Sequence, residues 1–205
     1  MAALKPQTGP DIEHRLACSQ GRRDEGPNVE LAEELAEADD AGGVKAVAEC
    51  LTFGSSAIQS DAVKVLYEIG ARKPHLIVQH MAILMERLQS NNNRIVWGSL
   101  TALACVAEVA PHKIAGQHLN VILDAADRGS VIAKDQAMNI LIALMLERLE
   151  TAAVNQLPLY AERIFPVLDK SEYRAFRDVL MRRLDDHMAQ SKRKRIEKII
   201  RKLER

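Results

Sequence analysis

A stretch of this chain can be laid over itself at a spacing of 37–38 residues. At an offset of 37, without gaps, SDAVKVLYEIGARKPHLI lies over WGSLTALACVAEVAPHKI. Ala62, Val65, Leu66, Ile69 and Pro74 meet Ser99, Ala102, Leu103, Val106 and Pro111. One further residue of offset brings Ala137, Ile140, Leu141 and Leu144 into the places of Ser99, Ala102, Leu103 and Val106. An upstream segment repeats as well, with QHMAILME at 79–86 over QHLNVILD at 117–124. The matched positions are small or aliphatic and fall at i, i+3, i+4 and i+7, the spacing of a buried helical stripe. Between them Lys64, Thr101 and Asn139 share a phase and little else but polarity. A helix pair of this size cannot bury its apolar face alone, so successive pairs must stack.

The periodicity predicts helices over 44–52, 56–71, 75–89, 94–109, 112–126 and 131–150, with two less regular ones near 154–168 and 172–189. The loops between them are short, which makes neighbours antiparallel. Aromatic residues are only 3% of the chain, so the core must be aliphatic. That suits close-packed helices and argues against a sandwich or barrel. Four organisational segments follow. Residues 1–27, rich in Pro, Gly and charge, read as disordered. Residues 28–43 read as a short acidic helix capped by Asn28 and ended by Gly42 and Gly43. Residues 44–190 form the repeat domain, with 151–190 a divergent last repeat in which Pro158 and Pro166 interrupt the helix and Tyr160, Phe165, Tyr173 and Phe176 gather in a small aromatic core. Residues 191–205 form a basic amphipathic helix.

Two-helix units of this length, with a proline after the second helix and a small-plus-aliphatic stripe, resemble HEAT and armadillo repeats over residues 44–150. The Asp and Arg usual in the intra-repeat turns of HEAT units are not cleanly present, so both subtypes stay open. The resemblance implies an all-α, right-handed α-α superhelix of about four helix pairs. It also implies a scaffold or adaptor that binds its partner along the second helices. One branch of the superfamily, the DNA-repair glycosylases, uses groove aromatics, and a chain with Trp97 as its single tryptophan gives that branch little support.

The exposed phase of the second helices is the expected partner surface: Lys64, Tyr67, Glu68, Thr101 and Asn139, with Ala104, Cys105 and Ile142 beside them. Trp97 opens its helix where other copies place Ser60 and Asp135, and with Arg94 it is a candidate anchor, since Trp and Arg are enriched in binding hot spots. That surface is neither strongly charged nor aromatic, which fits a protein or peptide better than a phosphate backbone.

Formal net charge is zero but unevenly spread: residues 1–43 carry ten acids against four bases, residues 191–205 eight bases against two acids. In the tail, Lys192, Arg193, Lys194, Arg195, Lys198, Arg201 and Lys202 surround a stripe of Ile196, Ile199, Ile200 and Leu203. Such a helix closes the last repeat, or binds nucleic acid, an anionic membrane or an acidic partner, or meets the acidic amino-terminal helix of opposite charge. The recurring histidines, His75 with His112 and His80 with His118, read as loop-boundary residues, because equivalent positions on stacked helices lie too far apart to share a metal. Cys18, Cys50 and Cys105 have no ligand spacing and indicate a reducing, cytoplasmic setting. No phosphate-cradling, metalloprotease or nucleophile-elbow motif occurs. The expectation is a non-enzymatic binding protein with no cofactor, no integral membrane contact, and an oligomeric state the sequence does not fix.

Overall fold

The structure, a computed structural model, describes residues 9–204. Among them every regular element is helical. In chain order these are α1 Gly9–Arg15, α2 Gly26–Glu37, α3 Ala41–Phe53, α4 Ser56–Arg72, α5 Met81–Arg87, α6 Asn93–Val109, α7 Pro111–Ile114, α8 Gln117–Arg128, α9 Val131–Thr151, α10 Leu157–Ile164, α11 Tyr173–Arg183 and α12 Gln190–Leu203. Short 3-10 turns precede α5 and α11. The chain divides into two compact units, Met1–Ile140 and Leu141–Arg205. The boundary therefore falls inside α9, and neither 43/44 nor 190/191 marks it.

In the first unit, α2, α4 and α6 pack side by side. α3 backs α4, α5 backs α6, and α1 lies against α2 and α3. The repeat positions form the contact: Ala62, Val65, Leu66 and Ile69 of α4 and Ser99, Ala102, Leu103 and Val106 of α6 are fully buried. Each large aliphatic side chain so covered contributes about 1.5–3 kcal/mol. The helices approach closely at Gly98, where an added Cβ would stand 2.9 Å from a Val63 methyl. Identical stops end α4 and α6. Pro74 and Pro111 push the preceding residue out of the helical region, so Lys73 (φ −141°) and Ala110 (φ −142°) each leave the helix at the same repeat position. The starts are capped by side chains, Ser55 for α4 and Asn92 for α6.

The amino-terminal segment departs from expectation. Residues 1–8 lie outside the described residues, but residues 9–27 are ordered into α1 and its turn onto α2. Ile12 and Leu16 are fully covered there, and that burial supplies what the polar composition hid. Asn28 does not cap α2: it is buried inside the helix, and its Oδ1 accepts the Ala17 N–H at 3.0 Å. Gly42 and Gly43 do not end that helix either. Asp39, in the left-handed region at φ 50°, takes the terminating role. Asp40 then starts α3 by accepting the Gly43 N–H at 2.9 Å. The segment predicted over 75–89 is broken, with only Met81–Arg87 in regular α-helix.

The second unit closes around Phe176. Leu157, Ala161 and Ile164 come from α10, Leu180 from α11, and Ile196, Ile199 and Ile200 from α12, with Ile142 and Leu149 from the end of α9. Of the four aromatics expected to form a core, Phe176 alone is fully buried. Tyr160, Phe165 and Tyr173 pack at its edge, with the Phe165 and Tyr173 rings 5.8 Å apart. Arg183 ties the end of α9 down: its guanidinium donates to the carbonyls of Leu149, Glu150 and Ala152 and pairs with Asp186 at 2.7 Å. It thereby satisfies acceptors that a helix C-terminus otherwise leaves open.

Candidate binding surface

The α2–α4–α6 layer carries a chain of alternating charges that joins all three helices. From α2, Glu33 accepts a hydrogen bond from Arg72 of α4 at 2.7 Å. Arg72 also reaches Glu68, one turn back, at 2.6 Å. Glu68 in turn accepts from Lys64 at 2.7 Å. Lys64 contacts Glu25, at the start of α2, at 3.1 Å, and Glu25 accepts from Arg94 of α6 at 2.6 Å. Three acids meet three bases, so the row is self-neutralised. Beside it the Tyr67 and Trp97 rings, one on α4 and one on α6, stand 5.7 Å apart and tilted by 44°. The Lys64 ammonium lies 4.8 Å from the Tyr67 ring centre.

Five of the candidates read from the sequence thus come together: Lys64, Tyr67, Glu68, Arg94 and Trp97. Lys64 is corrected in one respect, because it is buried (8% exposed) and not displayed. α2 packs across α4 and covers that phase of the helix, a contact the repeat alignment could not include. Burial opposes the Lys64 charge, yet hydrogen bonds with Glu68, Tyr67 and Glu25 outweigh it and hold its pKa above the ordinary lysine value. Burial likewise opposes the Glu68 charge, and Lys64 and Arg72 overcome it to hold the carboxyl below its usual range. Tyr67, Trp97 and Thr101 are half-buried, and the Thr101 hydroxyl donates back to the Trp97 carbonyl at 2.9 Å. Asn139 is exposed on α9 and bonds Gln136, joining none of these pairs. Ala104 is buried, and Ile142 belongs to the second unit's core and not to any surface. Glu25, Glu33 and Arg72 are the contributors missed from the sequence. Glu25 lies 69 residues from Arg94 and 39 from Lys64 in a segment read as disordered.

The remaining polar groups offer little chemistry. Cys105 has its thiol pushed up to about 11 by burial and by Glu108, and Cys50 to about 11 by burial and by Glu13 and Glu49. His80 is buried, and burial, then Lys45, lowers its pKa. Among the described residues no cluster of His, Cys, Asp or Glu is arranged to hold a metal ion, and no helix is long and apolar enough to cross a membrane.

The basic tail is partly spoken for. Its apolar stripe is buried in the second unit's core. Arg195 pairs with Glu162 at 2.6 Å and Arg193 with Glu197 at 3.2 Å. Lys192 contacts Asn155, and Lys202 lies 5.7 Å from the Phe165 ring centre. Lys194, Lys198 and Arg201 point to solvent.

No family model and no curated protein matches the chain. Solved structures do. An engineered protein crystallised by the Northeast Structural Genomics Consortium matches at a TM-score of 0.51 with 18% identity, covering 95% of this chain and 96% of its own. A designed armadillo repeat protein in complex with the peptide (KR)4 matches at 0.51 with 13% identity over 96% of this chain and 100% of its own. A second designed armadillo repeat protein matches at 0.51 with 14% identity over 95% and 99%. At these identities the likeness speaks for fold alone, an all-α helical-repeat fold like that of the designed armadillo proteins, in agreement with the resemblance read from the sequence.

Proposed function

We infer that this protein is a non-enzymatic interaction scaffold that binds a protein or peptide on the α2–α4–α6 layer. The observation that carries the reading is the half-exposed Tyr67–Trp97 pair, contributed by two successive second helices and braced on one side by the charge row. Aromatic side chains held rigidly on a repeat surface supply large contact area at small entropic cost. The charge row, already neutralised within the protein, steers selection toward shape and hydrogen bonding more than toward net charge. A designed armadillo relative of the same fold has a peptide bound, which supports a peptide as the ligand class.

Binding nucleic acid through the basic tail has less behind it. Four of the seven basic residues singled out there are engaged within their own unit, and the helix itself closes a core.

Trp97 is the only tryptophan, so its emission reports on this surface. Peptides selected from a displayed random library against the full-length protein should shift Trp97 fluorescence in proportion to binding. They should lose at least about tenfold in affinity to Tyr67→Ala, the ~1.4 kcal/mol or more expected of a hot-spot aromatic. Selected peptides that bind without moving Trp97 emission and without responding to Tyr67→Ala would contradict this placement.

A further inference from the structure

The second unit holds a small open cavity of about 200 Å³ between α9 and α10, lined by Met145, Arg148, Tyr160, Arg163 and Ile164. Its wall is apolar. It is smaller than the roughly 300–1,000 Å³ of small-molecule sites, so its capacity suits one bulky side chain. The two arginines at its rim are exposed, and neither has an ion pair among the described residues. Three other arginines of the unit are paired. Arg182 takes Glu150 of α9, Arg195 takes Glu162 of α10, and Arg183 takes Asp186. Glu162 is the single acid on α10, so its pairing elsewhere leaves Arg163 with no carboxylate on its own helix. The surplus extends to the whole unit, since residues 141–205 hold fifteen Lys and Arg against ten Asp and Glu.

We propose that this cavity is a docking site for an acidic peptide segment with one bulky apolar anchor. The anchor seats between Met145, Tyr160 and Ile164, and flanking carboxylates pair with Arg148 and Arg163. Guanidinium groups suit this role because their planar donor fork matches a carboxylate. The site is separate from the α2–α4–α6 surface and stands or falls without it.

The test uses the full-length protein and a fluorescein-labelled peptide, Glu-Glu-Gly-Leu-Gly-Glu-Glu, titrated by fluorescence anisotropy. Binding is expected, with affinity falling steeply as salt rises. Replacing the central Leu with Gly, or every Glu with Lys, should abolish it. Arg148→Glu and Arg163→Glu should each weaken binding about tenfold and together eliminate it. Both side chains are exposed, so these variants should melt like the parent, which circular dichroism checks. No binding of the acidic peptide at millimolar concentration would overturn the proposal, as would binding indifferent to both charge reversals. A peptide that shifts Trp97 emission would belong to the other surface and also overturn it. Sedimentation velocity covers the remaining occupant: self-association abolished by Arg148→Glu would give the cavity to a second copy of the chain, against the proposal.

Discussion

Lys64 shows how a residue's role is set by what packs over it. In the repeat pattern it occupies a polar, outward phase; in the fold it lies beneath the start of α2 and holds Glu25 and Glu68 together. Lys64→Met keeps the stem and removes the charge, leaving those carboxylates one donor short. Because both carboxylates retain access to water, the cost should be about 1–2 kcal/mol in urea denaturation, below the 3–5 of a fully buried pair. His80 offers a test in pH. It is buried, its Nε2 has no partner, and its folded pKa lies below the ordinary 6.5. The unfolded chain therefore takes up the proton more readily than the folded one. Its contribution to stability is complete above 6.5 and declines as pH falls from there toward the folded value. Thermal melts at about pH 7.5 and about pH 5 should show a smaller loss for His80→Leu than for the parent. An equal loss would mean the imidazole is not held neutral.

At the scale of elements, the helices legible in the sequence were those whose partners repeat. Ala62 and Ser99, Leu66 and Leu103, Ile69 and Val106 announce α4 and α6 because each buries the same stripe against an equivalent neighbour. α1 has no such copy: only Ile12, Leu16 and Ala17 anchor it, among charges and glycines whose composition argues for disorder. Capping chemistry was similarly hidden. Asp39 in a left-handed turn does what Gly42 and Gly43 were expected to do, and no local pattern distinguishes an aspartate that will adopt it. Most of the candidate surface was within reach of the sequence, since Lys64, Tyr67, Glu68, Arg94 and Trp97 are local to α4 and α6. Glu25, Glu33 and Arg72 were not, because their pairing depends on how α2 crosses α4. Two predictions belong here. Arg183→Met strips three carbonyls near the end of α9 of their donor and should cost about 2–3 kcal/mol by thermal melt. Lysine at the same position should recover only part, lacking the fork. In α12, Ile196→Asp should destabilise the second unit by several kcal/mol, since it buries a charge beside Phe176. Lys194→Glu and Arg201→Glu, on its outer side, should change stability by less than about 0.5 kcal/mol. Comparable effects from all three would mean that α12 is not held by its isoleucines.

Over the whole molecule, formal neutrality conceals a division of labour. Residues 1–140 carry eighteen acids against thirteen bases and residues 141–205 the reverse excess, so each unit presents a different charge to a partner although the chain sums to zero. The first unit builds an aromatic pair on stacked second helices; the second, closed by its own basic helix, keeps two arginines unpaired beside an apolar cavity. The α2–α4–α6 layer is the proposed ligand surface. The most direct measurement is hydrogen exchange, read by mass spectrometry, on the protein alone and bound to a library-selected peptide. Slowed exchange is expected to concentrate in residues 60–72 and 94–105, the stretches of α4 and α6 that carry Tyr67 and Trp97. Protection confined to α10–α12, or none in α4 and α6, would contradict it.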